Sequence, residues 1–208
     1  MGKKVALYGG SFDPIHHGHL IVARAVAEKL GIDRVILLPA SGPPHKPAAA
    51  MAPARDRAYM VRAAIDGEPL FELRDYDLSR RGPNFTIDTV AHFRKELGDE
   101  IELYWIIGAD SLAELPSWHK VENLVDACHI ITARRPSADT MDWERLRLAL
   151  GEDRVEKLRG GLVASPAIEI SSSDVRNRLR LGRSVRYMVP DAVHKFIKDH
   201  NLYKSVAP

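Results

Sequence analysis

Apolar residues in this chain gather in short unbroken runs. Val5-Ala6-Leu7-Tyr8, Val35-Ile36-Leu37-Leu38 and Leu103-Tyr104-Trp105-Ile106-Ile107 are such runs, and residues 129–133 form a fourth. Runs of this kind read as strands covered on both faces, as in a parallel sheet, rather than as strands with one wet face. Between them the apolar spacing turns helical. Residues 20–30 keep that spacing up to Gly31, and residues 54–65 carry Arg55, Arg57 and Arg62 on what reads as a wet face. Thr86 caps a helix running to about Leu97, with Thr89 in its first turn, and further helices follow at 112–115 (cut by Pro116), 121–127 and 143–150. A helix capped by Ser171-Ser172-Ser173 runs to Gly182, and residues 189–200, entered through Pro190, close the chain. Residues 70–78, 162–164 and 168–170 read as extended. Strands alternating with helices predict an α/β fold, a doubly wound and mostly parallel sheet with helices on both faces and a small helical C-terminal part. No repeat, low-complexity tract or linker interrupts it, so residues 1–208 are expected to form one domain.

Composition narrows the classes. A chain of 208 residues, 45% hydrophobic and 28% charged, can bury one sizeable core. A net charge of +2 is too small to argue for a nucleic-acid polymer as partner. No apolar run approaches membrane-spanning length, and Lys3 and Lys4 lead straight into a strand. Cys128, the one cysteine, cannot form an internal disulfide and sits in an apolar stretch, so it reads as a core residue in a reducing cytoplasm. A homo-oligomer stays open.

The chemistry concentrates where strands give way to helices. After the first strand come Gly9-Gly10-Ser11-Phe12-Asp13-Pro14-Ile15-His16-His17-Gly18-His19. In an open parallel sheet this crossing lies at the carboxyl edge, where ligands bind. The glycines permit close approach, the helix start offers unpaired N–H groups, and His16 and His19 can donate to phosphoryl oxygens. The sequence is neither G-x-G-x-x-G nor a G-x-x-x-x-G-K loop. Pro43-Pro44-His45-Lys46-Pro47 would present His45 and Lys46 over the edge, or be a solvated connector. Gly108 and Asp110 end a strand in a ligand position, which equally suits helix capping. Trp118, on a short connector, can stack on a planar ligand. Arg134 and Arg135 at a strand end suit phosphate. The serines before Arg176 make a second anion site or only a cap.

Gly9 to Leu20, Pro43-Pro44-His45-Lys46, Asn84-Phe85-Thr86, Gly108-Ala109-Asp110-Ser111, Pro116-Ser117-Trp118, Arg134-Arg135-Pro136 and Ile170-Ser171-Ser172-Ser173-Asp174-Val175-Arg176 occur in the order found in the bacterial nicotinate-nucleotide adenylyltransferases. These are members of the Rossmann-like nucleotidyltransferases with an H-x-G-H or T-x-G-H signature, which the chain resembles over nearly its whole length. Where that family usually ends its last hydroxyl run in threonine, this chain has Ser173. The resemblance implies adenylyl transfer from ATP to nicotinate mononucleotide, with Mg²⁺ carried on the ATP and no metal held by the protein. By the same resemblance His16, His19, Lys46 and Arg176 are catalytic. ATP would be held by Gly9, Gly10, Ser11, Phe12, His16, Gly18, His19, Gly108, Asp110, Ile170, Ser172, Ser173 and Arg176. Nicotinate mononucleotide would be held by His45, Lys46, Thr86, Trp118, His119 and Arg135, with Trp118 stacking on the ring. A pantetheine-phosphate adenylyltransferase, a nicotinamide-mononucleotide enzyme and a nucleotide-sensing module are the alternatives.

Overall fold

The computed structural model describes residues 2–41, 51–80, 82–134 and 141–204. His45, Lys46 and Arg135 lie outside them. Six strands, β1 (Lys4–Gly10), β2 (Arg34–Pro39), β3 (Phe71–Leu73), β4 (Glu102–Gly108), β5 (His129–Arg134) and β6 (Leu162–Ala164), form one sheet in the order β3-β2-β1-β4-β5-β6. Every pairing is parallel. This order is that of a doubly wound dinucleotide-type sheet, whose winding reverses between the first and fourth strands.

The connecting helices are α1 (His17–Leu30), α2 (Ala54–Ala64), α3 (Tyr76–Ser79), α4 (Thr86–Leu97), α5 (Ala109–Glu114), α6 (Val121–Ala127), α7 (Trp143–Leu150), α8 (Glu152–Gly160), α9 (Ser172–Arg180) and α10 (Asp191–Asp199). Alternate strand residues separate two cores. Ala6, Val35, Leu37 and Ile106 pack with Ala23 and Val26 of α1, Met60 and Val61 of α2, Val175 of α9 and Val193 of α10. Leu7, Ile36, Leu38 and Trp105 pack on the other face with Val90 and Phe93 of α4, Leu124 of α6 and Leu158 of α8. Burial on both faces is why the strands read as unbroken apolar runs. Cys128 is buried in the second core, where burial pushes its thiol up to about 12.

Several expected boundaries move. The first helix starts at His17, three residues early, so the histidine motif lies in its first turn. Residues 70–78 are extended only over Phe71–Leu73 before turning into α3, and residues 168–170 join no strand. No described helix is long and apolar enough to cross a membrane.

Candidate active site

β1 and β4 pair only from Lys4↔Glu102 to Leu7↔Trp105. Beyond that they part, while β1 stays on β2 to Gly10↔Pro39 and β4 stays on β5 to Gly108↔Ala133. The crevice opened at this switch point has two halves that share Tyr8, Ser11, Ile107 and Gly108. One half, about 540 Å³, lies between the start of α1 and the start of α9. The other, about 760 Å³, lies between the start of α4 and the connector that carries Trp118.

The histidines in the first half cap their own helix. His16 is the N-cap of α1, its Nδ1 accepts from the His19 backbone N–H at 3.3 Å, and His19 Nδ1 accepts from the His16 backbone N–H at 3.3 Å. The rings stack with centroids 3.6 Å apart. An Nδ1 that accepts must be unprotonated, so the hydrogen bonding assigns both side chains the neutral form with the proton on Nε2. Burial, and then the charge of His17, lower His16 to about 4; burial, and then His16, lower His19 as well. Two neutral Nε2–H donors are the product of this capping box. A Cβ on Gly18 would sit 3.0 Å from His16 Nδ1, which explains the glycine between them.

α9 closes this half. Ser171 caps the helix through the Asp174 N–H, Ser172 Oγ donates to the Pro14 carbonyl at 2.9 Å, and Arg176 Nη1 donates to the Asp13 carbonyl at 2.7 Å. Arg176 Nη2 also donates to Ser173 Oγ at 3.2 Å. Only the first serine is a cap; Ser172 bonds the turn after β1, and Ser173 accepts from Arg176. Asp110 is exposed in the same half and, contrary to the capping alternative, does not cap α5, whose N-cap Gly108 makes no side-chain bond.

Of the expected site residues, His16, Gly18, His19, Gly108, Asp110, Ile170, Ser172, Ser173 and Arg176 come together in the first half, and Thr86, Trp118 and His119 in the second. Ser11 touches both. Three expectations change. Gly9 and Gly10 line the second half, not the first, and both belong to β1; a Cβ on Gly9 would meet Trp105 at 2.8 Å. Phe12 is 1% exposed, with its ring packed edge-on to Tyr8 and His19, so it supports the turn from below. Thr86 does not cap α4: Phe85 is the N-cap, no side chain closes that end, and Thr89 is spent on Asp77 at 2.7 Å. The Asp88 N–H turns back to the Phe85 carbonyl at 3.0 Å, so the N–H groups of Thr86 and Ile87 are the ones this end offers to an anion.

Tyr8, Trp105 and Asp77 line the second half with no motif to mark them, and Asn84, part of a motif but given no role, lines it too. Arg57 is 1% exposed instead of lying on a wet face. Tyr8 and Trp105 read as strand core because nothing in an apolar run marks where neighbouring strands separate. Among the described residues no group of three or more His, Cys, Asp or Glu side chains is gathered to hold a metal.

A crevice at the reversal of a Rossmann-like sheet, with paired imidazoles at one helix start and a serine-arginine cluster at another, defines a nucleotide-handling class. Residues 7–178 match the family model described as cytidylyltransferase-like. The chain is 39% identical to a protein of Dehalococcoides mccartyi over 96% of this chain and 97% of that one, and 38% identical to one of Pseudomonas paraeruginosa over 99% of each; both are named "Probable nicotinate-nucleotide adenylyltransferase". The fold matches a solved Plasmodium falciparum nicotinic acid mononucleotide adenylyltransferase complexed with NaAD, with a TM-score of 0.76, 22% identity and 97% of each chain covered. Within the cytidylyltransferase-like proteins, the chain belongs to the nicotinate-nucleotide adenylyltransferase family.

Proposed function

We propose that the protein transfers the adenylyl group of ATP to nicotinate mononucleotide, releasing pyrophosphate and forming nicotinate adenine dinucleotide, a step in making NAD. A phosphate oxygen of the mononucleotide attacks the α-phosphorus in line, and the bond from that phosphorus to the pyrophosphate oxygen breaks. No covalent enzyme intermediate is needed. The protein then has two tasks, to align two anions and to stabilise the charge that grows on the phosphates.

The observation that carries this reading is the reciprocal His16–His19 capping box beside Arg176. Two neutral imidazoles and one guanidinium line a single volume, and in this reading their fixed placement spares reorganisation when charge develops. In this reading the triphosphate lies between α1 and α9, held by His16, His19, Ser172, Ser173 and Arg176, with the adenosine against Gly108 and Asp110. Mg²⁺ would arrive as part of the ATP substrate and would supply neutralisation of phosphate charge, with His16, His19, Ser172, Ser173 and Arg176 holding the triphosphate itself. The pyridine ring stacks on Trp118 in the second half, and its carboxylate takes backbone N–H groups of Thr86 and His119. Ser11 and Tyr8, common to both halves, mark where the two phosphates meet. Roles for His45, Lys46 and Arg135 rest on the family resemblance alone.

The reading is tested by incubating the protein with magnesium-ATP and nicotinate mononucleotide. Pyrophosphate and dinucleotide should appear in equal amounts, and neither without the acceptor. Pyrophosphate released without dinucleotide would identify a hydrolase instead.

A further inference from the structure

We infer that Arg57, which no part of the reaction above uses, is a positioning residue that fixes the two halves of the cleft against each other; this rests on the adenylyl-transfer reading of the site. A guanidinium is buried in a folded protein only where its donors are met. Arg57 Nη1 donates to the carbonyls of Ser11 and Ala40, both at 2.7 Å, Nη2 to that of Ser41 at 3.2 Å, and Nε to that of Ala52 at 3.1 Å. All four partners are main-chain carbonyls on segments leaving β1, leaving β2 or entering α2. One planar fork thus measures the spacing of three segments at the carboxyl edge.

Those segments lead to both substrates. Ser11 lines both halves of the cleft and Ala40 lines the second. The Ala40 N–H donates to the Gly10 carbonyl at 2.9 Å. Ser41 Oγ accepts from Asn84 Nδ2 at 2.7 Å, and the same Nδ2 donates to the Asp77 carbonyl at 2.6 Å, two residues before Thr86 opens α4. In the other direction, the Ala52 N–H donates to Asp13 Oδ1 at 3.0 Å, Tyr203 Oη donates to that oxygen at 2.7 Å, and the Asp13 carbonyl takes Arg176. Contacts therefore run from one side chain to the start of α4 on one side and to Arg176 on the other.

The layout of these elements has supports besides this fork. α2 is seated by Met60 and Val61, both fully buried, and β1 and β2 pair as far as Gly10 and Pro39 by their own ladder. The guanidinium adds alignment. A lysine keeps the charge, but its ammonium is a compact point donor that lacks the fork. In-line transfer is sensitive to this, since a shift of about 1 Å between reacting groups costs on the order of a hundredfold in rate.

The test compares wild type with R57K and R57Q. Thermal unfolding confirms the fold, calorimetry gives the Kd of ATP and of nicotinate mononucleotide each alone, and pyrophosphate release gives kcat. Expected for folded R57K is a kcat lower by about tenfold to a hundredfold, with each separate Kd within about threefold of wild type. A purely structural residue would not split the constants in this way. Wild-type kcat in folded R57K, or separate Kd values that weaken as much as kcat falls, would overturn the inference. Failure of both variants to fold would assign Arg57 to stability and overturn it too. Wild type that forms no dinucleotide would instead overturn the adenylyl-transfer reading, and this inference with it.

Discussion

Replacing His16 by asparagine should make the protein more resistant to acid. Asparagine is a strong N-cap residue and can still accept from the His19 N–H, so the helix start survives. What disappears is a titratable group with its pKa lowered from 6.5 to about 4, first by burial and then by His17. The sign follows from proton counts. Below pH 6.5 the unfolded chain binds a proton at this position that the folded protein refuses, so stability falls as the pH drops from 6.5 towards 4. A displacement from 6.5 to about 4 is worth roughly 3 kcal/mol in full, of which about 2.5 kcal/mol is already lost at pH ~4.5. His16 is only 5% exposed, so solvent screening takes little from this. Urea unfolding of wild type and H16N at pH ~7 and pH ~4.5 reads this contribution together with the smaller part of the lowering of His19 that His16 causes, because carboxylate titrations common to both proteins cancel. Wild type should lose about 2 kcal/mol more than H16N over that interval. Parallel losses would refute the buried, neutral assignment on which the donor geometry rests.

Three further outcomes are expected. His19→Ala should lower kcat by about a hundredfold, the effect of losing one preorganised donor, while stability falls only by the loss of half a capping box, about 1 kcal/mol; near-normal turnover would remove His19 from the mechanism. Gly9→Ala should destabilise by about 1–3 kcal/mol, since its methyl group meets the Trp105 ring, and should weaken the mononucleotide more than ATP; unchanged denaturation midpoints would show that Trp105 yields freely. Trp118→Ala should raise KM for nicotinate and nicotinamide mononucleotides alike, because stacking is blind to acid against amide; a changed ratio would place the discrimination on the ring of Trp118.

The sheet and most of its helices were legible in the chain because both sheet faces are covered, so β1, β2, β4 and β5 announce themselves as unbroken runs. The short edge strands were harder. Residues 168–170 look like β6 in composition yet pair with nothing, since the sheet ends one segment earlier. The first helix starts earlier than its apolar spacing suggests because His17 and Gly18 are poor helix formers, and its start depends on two reciprocal bonds, each from a backbone N–H to the ring Nδ1 of the other histidine, His16 or His19. Arg57 was assigned to solvent for a related reason. Arg55, Arg57 and Arg62 share one helix, and which of them turns inward is decided by carbonyls on β1 and β2 exits distant in sequence. Trp105 and Tyr8 entered the site unannounced because the parting of β1 and β4 beyond Leu7 is a fact of sheet geometry. The residues that matched a motif, by contrast, are those that lie beside each other along the chain.

The central claim, adenylyl transfer to the nicotinate form, is tested most directly by competition. Nicotinate mononucleotide and nicotinamide mononucleotide, offered together with magnesium-ATP, yield two dinucleotides that separate by charge. The uncapped start of α4 presents backbone N–H groups, which satisfy a carboxylate but face the amide's own NH₂ in one of its orientations. Losing such contacts costs about 1–3 kcal/mol, so the acid product should dominate by at least roughly tenfold. Equal yields or an excess of the amide product would contradict the account of the pyridine half, and no dinucleotide from either acceptor would contradict the account of the whole cleft.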